Sequence, residues 1–482
     1  MGVIDVVQDV VNTVNGYVWG PVMLVLLVGT GVLLTLRLRG LQFRQLSLAF
    51  GRLIHSIRTR HGEGEGDIPA FHALCTALSA TVGTGNIAGV ATAIVLGGPG
   101  ALFWMWVTAL VGMVTKYSEA VLSLKYRTKN PDGTMSGGPM YYIEKGLKMK
   151  WLAVLFALFG MIAAFGIGSM TQANSVTLAI TSQVSVGGNV DLPVVGSISV
   201  LSLVIGIVLV VITALVTFGG IKRIGEVAAV LVPFMAVLYI AGGLLVLALN
   251  FSKIPDALAL VFTYAFTPYA VAGGAVGYAV SQAVRYGMAR GVFSNEAGLG
   301  SAPIAYAAAK TKSPVNQGLI AITEVFIDTL IICSITGLVV LTSGLWDDGA
   351  YTSTGLTIQA FGNSLGPVGL LVVTISAILF GYSTILGWAY YGEQCFHYLF
   401  GDRMKNVYKV VFLAMVLFGS VTRVGLVWDI SDTFNGMMAI PNLIALVALS
   451  GVVVAETQKY FEERKSGSGE GGTGSPVGTP VS

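Results

Sequence analysis

Two short segments hold the residues best suited to chemistry: Ser79-Ala-Thr-Val-Gly83-Thr-Gly85-Asn86 and Ser294-Asn-Glu-Ala-Gly298-Leu-Gly300-Ser301. Each places a G-x-G pair and small polar side chains inside a stretch otherwise apolar enough to cross a membrane. A bilayer core has no water to satisfy loose backbone groups, so such a break survives where protein shields it or where it lines a cavity. The chemistry on offer is that of the freed backbone. A half-helix N-terminus carries roughly +0.5 of a charge and unpaired N–H groups, which suits a carboxylate. The opposing half-helix end exposes carbonyl oxygens, the ligands a hard cation takes.

At the first break, the N–H groups of Thr84 and Gly85, supported by Asn86, are the candidates for a carboxylate. The Ser79 and Val82 carbonyls are the candidates for a cation. The competing reading is that small residues here only let two helices pack closely. In the second break, Glu296 is an ionisable residue within a span, a costly placement that calls for a cavity or a partner. It could meet a ligand ammonium, line an ion path, accept freed N–H groups, or pair with Arg290. Gln172 and Asn174 put amides mid-span; Gln172 is a candidate contact for a ligand's polar groups, with interhelical bonding as the alternative. Glu324 and Asp328 form an i,i+4 carboxylate pair, suited to a gate, a proton site or structural hydrogen bonding. Lys116 and Glu119 read as an i,i+3 ion pair. The four histidines are scattered near loops, and Cys75, Cys333 and Cys395 have no metal or disulfide spacing. No phosphate loop, nucleophile elbow or zinc motif is present.

These residues must be held by membrane spans. Of the 482 residues, 54% are hydrophobic and 11% charged, and the mean hydropathy is +0.79; soluble domains carry about 25% charged residues. A span takes about 20 apolar residues. The expected fold is all-α and polytopic, with eleven transmembrane helices at roughly 17–36, 69–96, 100–124, 151–182, 197–219, 224–250, 278–309, 315–343, 364–399, 406–424 and 430–458. With the N-terminus outside, alternate loops hold most of the 27 Lys and Arg residues, including the cluster from Arg37 to Arg60, as the positive-inside rule asks of the cytoplasmic face. The Asn189-Val-Asp191 and Trp346-Asp347-Asp348 loops then fall outside.

One leading helix with a basic loop (1–68) therefore precedes a first group of five spans (69–250). An extracellular or interfacial connection (251–277) leads to a second group of five (278–458) and a cytoplasmic tail (459–482), whose Gly/Ser/Thr/Pro-rich end from residue 466 cannot bury a core. Five is odd, so the second group inserts inverted, and each G-x-G break falls in the first span of its group. Paired broken helices in inverted repeats point to the binding site of a secondary transporter. The N-terminus has no basic n-region or cleavage site, so no signal peptide is expected.

The run Gly97-Gly98-Pro99-Gly100-Ala101-Leu102-Phe103-Trp104-Met105-Trp106, together with Gly83-Thr84-Gly85-Asn86 and Phe293-Ser294-Asn295-Glu296-Ala297-Gly298-Leu299-Gly300, resembles the signature of the sodium:alanine (alanine or glycine:cation) symporter family. The likeness spans about residues 17–456. It implies an amino acid, polyamine and organocation superfamily fold of leucine-transporter type, with a five-plus-five inverted repeat and two discontinuous helices. It also implies sodium, co-transported rather than resident, held by Ser79, Val82, Phe380, Ser383 and Thr384. A second sodium would use Asn86, the Thr81 carbonyl and Ser294. The implied substrate pocket adds Gln172, with the aromatics Phe293 and Trp388 as its cover. Trp104 and Trp106 read as anchors or packing.

The function expected is sodium-coupled symport of alanine or glycine into the cell across the plasma membrane, by alternating access. The lipid bilayer is the other partner, and no nucleic acid is expected. The alternative of the same fold is a proton-coupled symporter or an exchanger using Glu296 or Glu324 and Asp328. A channel would need a filter or ring of ligands, and a membrane enzyme a nucleophile or metal cluster; neither is evident.

Overall fold

In the computed structural model, the described residues are 3–59, 62–184, 187–192, 196–267, 276–347, 349–422 and 425–466. The expectations placed on Arg60, His61, Asp348, the middle of the 251–277 connection and the tail beyond residue 466 fall outside them.

Long apolar runs form helices because a helix satisfies every backbone group within its own segment. They are α1 (Val3–Val18), α2 (Pro21–Arg37), α3 (Ala70–Thr81), α4 (Ala88–Gly97), α5 (Ala101–Lys125), α6 (Lys150–Thr181), α7 (Val200–Thr217), α8 (Gly220–Leu249), α9 (Val276–Asn295), α10 (Ala302–Tyr306), α11 (Pro314–Ser343), α12 (Pro367–Phe400), α13 (Lys405–Val421), α14 (Gly425–Ala448) and α15 (Ser450–Lys465). Shorter helices at Leu46–Arg58, Pro139–Gly146, Ile254–Tyr264 and Ser353–Leu365 fill the connections.

Among the described residues, eight helices are long and apolar enough to cross a membrane, or ten if each bent pair is one span. The count of eleven is not reached because α9 does not meet that test: Gln282, Arg285, Arg290 and Asn295 dilute its apolar residues. The bent pairs are α3 with Thr84–Gly97, at 57°, and Asp429–Ala448 with α15, at 56°. The final span is thus not one rod; it turns at Leu449, and its second half carries on to Lys465.

The connections are not wholly helical either. Among the described residues, three two-stranded ladders tie loops together: Ile68–Pro69 runs parallel to Ala309–Lys310, Thr128–Lys129 antiparallel to Met135–Ser136, and Asn189–Leu192 antiparallel to Gly196–Ser199.

The two interrupted helices lie side by side in opposite directions. Ile68 pairs with Ala309 at one end. Midway, a side chain on Gly85 would sit 3.2 Å from the Phe293 ring. At the far end, a Gly97 Cβ would meet Tyr286 Cβ at 3.2 Å. Around this pair the core is continuous through α5, α6, α11, α12 and α14.

Candidate functional site

The first break begins where α3 stops at Thr81 and Val82 turns to φ −77°, ψ 86°. The last helical amide bond runs from Val82 N to Leu78 O, so the terminal carbonyls have no partner in their own helix. The chain then makes one tight turn over Thr84–Asn86 before α4 starts. Asn86 N and Ile87 N donate back to Gly83 O and Thr84 O, both at 3.2 Å. Thr84 and Gly85 thereby occupy the first positions of the new turn, where N–H groups lack intrahelical acceptors.

Asn86 is not directed at an open pocket. Its Oδ1 accepts from Gly83 N at 2.9 Å, closing the turn, and its Nδ2 donates to Asp328 Oδ1 at 2.7 Å. Thr84 Oγ1 donates to Gln172 Oε1 at 3.1 Å, and Gln172 Nε2 donates to Ile167 O, also at 3.1 Å. That carbonyl belongs to a widened turn at Gly166–Met170 within α6. Such turns often accompany functional sites; here the small residues let α6 lie close to Ser431 and Trp388. Asn174, by contrast, points elsewhere, to the carbonyls of Gly419 and Thr422.

The second break starts after Asn295. Glu296 takes φ +53°, a left-handed conformation uncommon for a side-chain-bearing residue, and Gly298 follows at φ +91°. Glu296 is 4% exposed, and both of its oxygens are engaged: Trp388 Nε1 donates to Oε1 at 3.0 Å, and Ser301 Oγ donates to Oε2. Two residues expected to face a ligand are therefore bonded to each other, and Arg290 is not the partner Glu296 takes. Arg290 instead lies over the Phe293 ring, 5.6 Å from its centroid. Phe293 contacts Gly85 on one side and, on another, lines a cavity of about 100 Å³ shared with Arg290, Trp19, Asn15 and Asp432.

Asp328 is the point where the two breaks meet. Its Oδ2 accepts from Ser294 Oγ at 2.9 Å and from Thr329 Oγ1 at 2.7 Å, while Oδ1 holds Asn86. Cys333 Sγ lies 3.4 Å from Asn86 Nδ2 and 3.2 Å from Ser294 Oγ. Both sit on a widened stretch of α11, Phe326–Cys333. Asp328 was legible in sequence only as half of a pair with Glu324, and the structure separates them. Glu324 faces Lys116, 3.0 Å away, and accepts from Tyr306. Lys116 thus pairs with Glu324 rather than Glu119; Glu119 takes Asn442 Nδ2 at 2.6 Å and Gly298 N at 3.1 Å. Asn442, which the sequence did not single out, also donates to Gly298 O at 2.9 Å, so Glu119 and Asn442 together engage the N–H and the carbonyl of Gly298.

On the opposite wall, Ser383 and Thr384 each donate to Phe380 O at 2.9 Å. This is the back-bonding typical of membrane hydroxyls, and it leaves their lone pairs unspent. Thr384 Oγ1 lies 2.6 Å from where a Gly83 Cβ would stand, so its oxygen rests directly on the break. Ser79 Oγ donates to Thr76 O at 2.7 Å, and Gly387 packs beside Ser79 and Ala80. Ser79, Val82 and Thr384 are thereby gathered at one end of α3, while Ser383 is bonded only back to Phe380 O. No group of three or more His, Cys, Asp or Glu suited to a metal occurs among the described residues; a cation here would depend on neutral oxygens.

Beneath both breaks, the segment 62–69 clasps the chain after α10. Asp67 N donates to Ala308 O at 2.8 Å, and Thr311 N to Glu65 O at 3.3 Å. Arg127 locks the clasp, donating to the carbonyls of Ala307 at 3.2 Å and of Ala309 and Glu65 at 3.0 Å. Lys312, 3.1 Å from Glu63, holds that carboxyl below its usual range, whereas burial pushes the Asp67 carboxyl up.

The family model described as the sodium:alanine symporter family matches residues 4–472. The chain is 51% identical over 468 residues to the sodium/alanine symporter AgcS of Methanococcus maripaludis, covering 95% of this chain and 98% of that protein. It is 38% identical over 465 residues to the probable sodium/glutamine symporter GlnT of Bacillus subtilis, covering 96% and 92% respectively. Among solved structures, MhsT in complex with L-phenylalanine superposes with a TM-score of 0.57 at 16% identity, over 81% of this chain and 98% of that one. That last likeness is one of fold.

Proposed function

We propose, since the chain belongs to the sodium:alanine symporter family, that it carries small neutral amino acids, alanine or glycine, into the cell together with sodium. Membership makes it a membrane transporter and not an enzyme. The finer architecture proposed is one leading helix followed by a five-plus-five inverted repeat of leucine-transporter type, eleven spans in all, with α9 as the eleventh. Its N-terminus lies outside and its C-terminus in the cytoplasm, an orientation supported by the basic loops.

The observation that carries this reading is the apposition of the two breaks, with Gly85 against Phe293 and Asp328 bonded to both sides. The N–H groups of Thr84 and Gly85 receive the substrate carboxylate, Gln172 contacts its polar groups, and Phe293 covers it. A backbone cradle this close to an aromatic ring leaves little space for a side chain, which supports alanine or glycine over larger amino acids. Sodium sits on the Ser79 and Val82 carbonyls with the Ser383 and Thr384 hydroxyls, which Phe380 orients. Asn86, Ser294, Glu296 and Trp388 hold the two breaks in register. One sodium moving down 100 mV supplies about 2.3 kcal/mol, and about 1.4 kcal/mol is tenfold in concentration, so coupling would support accumulation.

A second reading, proton coupling, is favoured by one observation: Lys116 is the lone ammonium within a buried set that includes Glu119, Glu296 and Glu324. Uptake into liposomes separates the two. An inward sodium gradient at equal pH should accumulate labelled alanine or glycine. Accumulation that follows a proton gradient in sodium-free medium would overturn sodium coupling in favour of protons.

A further inference from the structure

The leading helix and the last helix meet in a basic crevice that the transport reading does not use. Its cavity, about 470 Å³, is lined by the cations Arg37, Arg39, Arg44 and Lys465 against a single acid, Glu462. The local backbone explains the clustering. Arg39 and Gly40 both adopt left-handed conformations, at φ +54° and +65°, so the chain reverses sharply after α2 and presents three arginines to one hollow. Arg37 Nη1 reaches Ser450 Oγ at 2.5 Å and so spans the crevice to the first turn of α15. Arg39 and Arg44 are exposed and make no hydrogen bond or ion pair with any described residue.

We propose that this crevice binds the phosphate of an anionic phospholipid, with an acyl chain resting on its apolar wall. Three features select an amphiphile over a free anion. Leu41 and Phe461 stand beside the cations, giving the hollow an apolar side. The volume far exceeds one phosphate group. The height is also right: Arg37 ends an apolar helix, and the helix Leu46–Arg58 a few residues on exposes Ile54 and Ile57 at 48% each, as a helix lying in the headgroup plane does. Basic residues at that level attract anionic lipid.

The bound lipid would brace α2, which stands outside the repeats, against α15. That helix in turn grips α5, through Tyr117 OH to Thr457 Oγ1 at 2.7 Å and Lys125 to Glu456 at 2.6 Å. The site thus ties the leading helix to the transport core without touching the substrate. The inference depends only on the chain spanning a bilayer, not on what it carries.

The test uses the full-length protein in a neutral detergent, its thermal midpoint followed as phosphatidylglycerol, phosphatidylcholine of matched chains, or inorganic phosphate is added. Phosphatidylglycerol should raise the midpoint saturably. The double variant Arg39→Gln/Arg44→Gln should need roughly 25-fold more lipid, about fivefold per cation removed, while Arg464→Gln, outside the crevice, responds like the parent. Should the double variant be too unstable to purify, Arg39→Gln alone, with native mass spectrometry counting retained phosphatidylglycerol, gives the same readout. The proposal is overturned if the variants respond as the parent does, or if phosphatidylcholine or inorganic phosphate reproduces the full shift.

Discussion

Asn86 donates its side-chain amide to Asp328 Oδ1 at 2.7 Å, and the same carboxylate receives Ser294 at 2.9 Å, so a single residue of α11 holds both interrupted helices. In a water-poor interior each of those donors depends on it. Asp328→Ala removes the carboxylate from both and leaves them only the weaker contacts to Cys333 Sγ and the residue 328 carbonyl, a loss of about 2 kcal/mol, so alanine affinity in saturating sodium should fall by roughly thirtyfold. Asp328→Asn, which keeps one acceptor oxygen, should fall between. Equilibrium binding to purified protein measures both, and parental affinity in the alanine variant would remove Asp328 from the site.

Ser383 and Thr384, the hydroxyls proposed for sodium, both donate to Phe380 O, and Thr384 Oγ1 rests against Gly83. Replacing both with Ala should raise the sodium concentration for half-maximal uptake about tenfold, the loss of about 1.4 kcal/mol of coordination. An unchanged sodium dependence in liposome uptake would take them out of the ion site.

A Cβ on Gly85 would already be 3.2 Å from the Phe293 ring, tight but not impossible. Gly85→Leu pushes a larger group into the space assigned to substrate. It should abolish amino acid binding while the protein still elutes as a single folded species on size-exclusion chromatography. Normal binding in that variant would refute the carboxylate assignment.

Arg127 closes the clasp with bonds to three carbonyls, and Ala308 beneath it is fully buried. A charged donor is worth about 1.5–3 kcal/mol. Arg127→Ala should therefore speed maleimide labelling of an Ala308→Cys reporter by at least about tenfold. Equal labelling rates with and without the arginine would show that Arg127 does not hold the clasp closed.

Lys116 and Glu324 form a fully buried ion pair. Lys116→Met alone strands a carboxylate and should cost about 3–5 kcal/mol, whereas Lys116→Met/Glu324→Leu should recover much of that. Thermal midpoints in detergent decide it; equal midpoints for the single and double variants would show that the pair does not act as a unit.

The sequence by itself determined that the chain is a bundle of membrane helices and where two of them break. Composition excludes a water-soluble core, and a G-x-G pair between small polar residues cannot continue a helix in lipid without shielding, whatever surrounds it. It offered Gly85 as a carboxylate site from the break itself, and assigned Phe293 to the substrate and Thr384 to sodium through a family resemblance rather than through spacing. What only the tertiary structure decided is which polar groups find each other. Spacing along one helix suggested Glu324 with Asp328 and Lys116 with Glu119. The widened turn at Phe326–Cys333 turns Asp328 toward Asn86 and Ser294, and Lys116 finds Glu324 across the interface between α5 and α11. Asn442 gave no local signal, because its role exists only where α14 brings it against Gly298. Breaks are written in local backbone sterics, which a sequence displays directly; the partners of the buried carboxylates and amides are set by which helices pack together, so Asp328, Glu324 and Asn442 bond across interfaces rather than along their own helix.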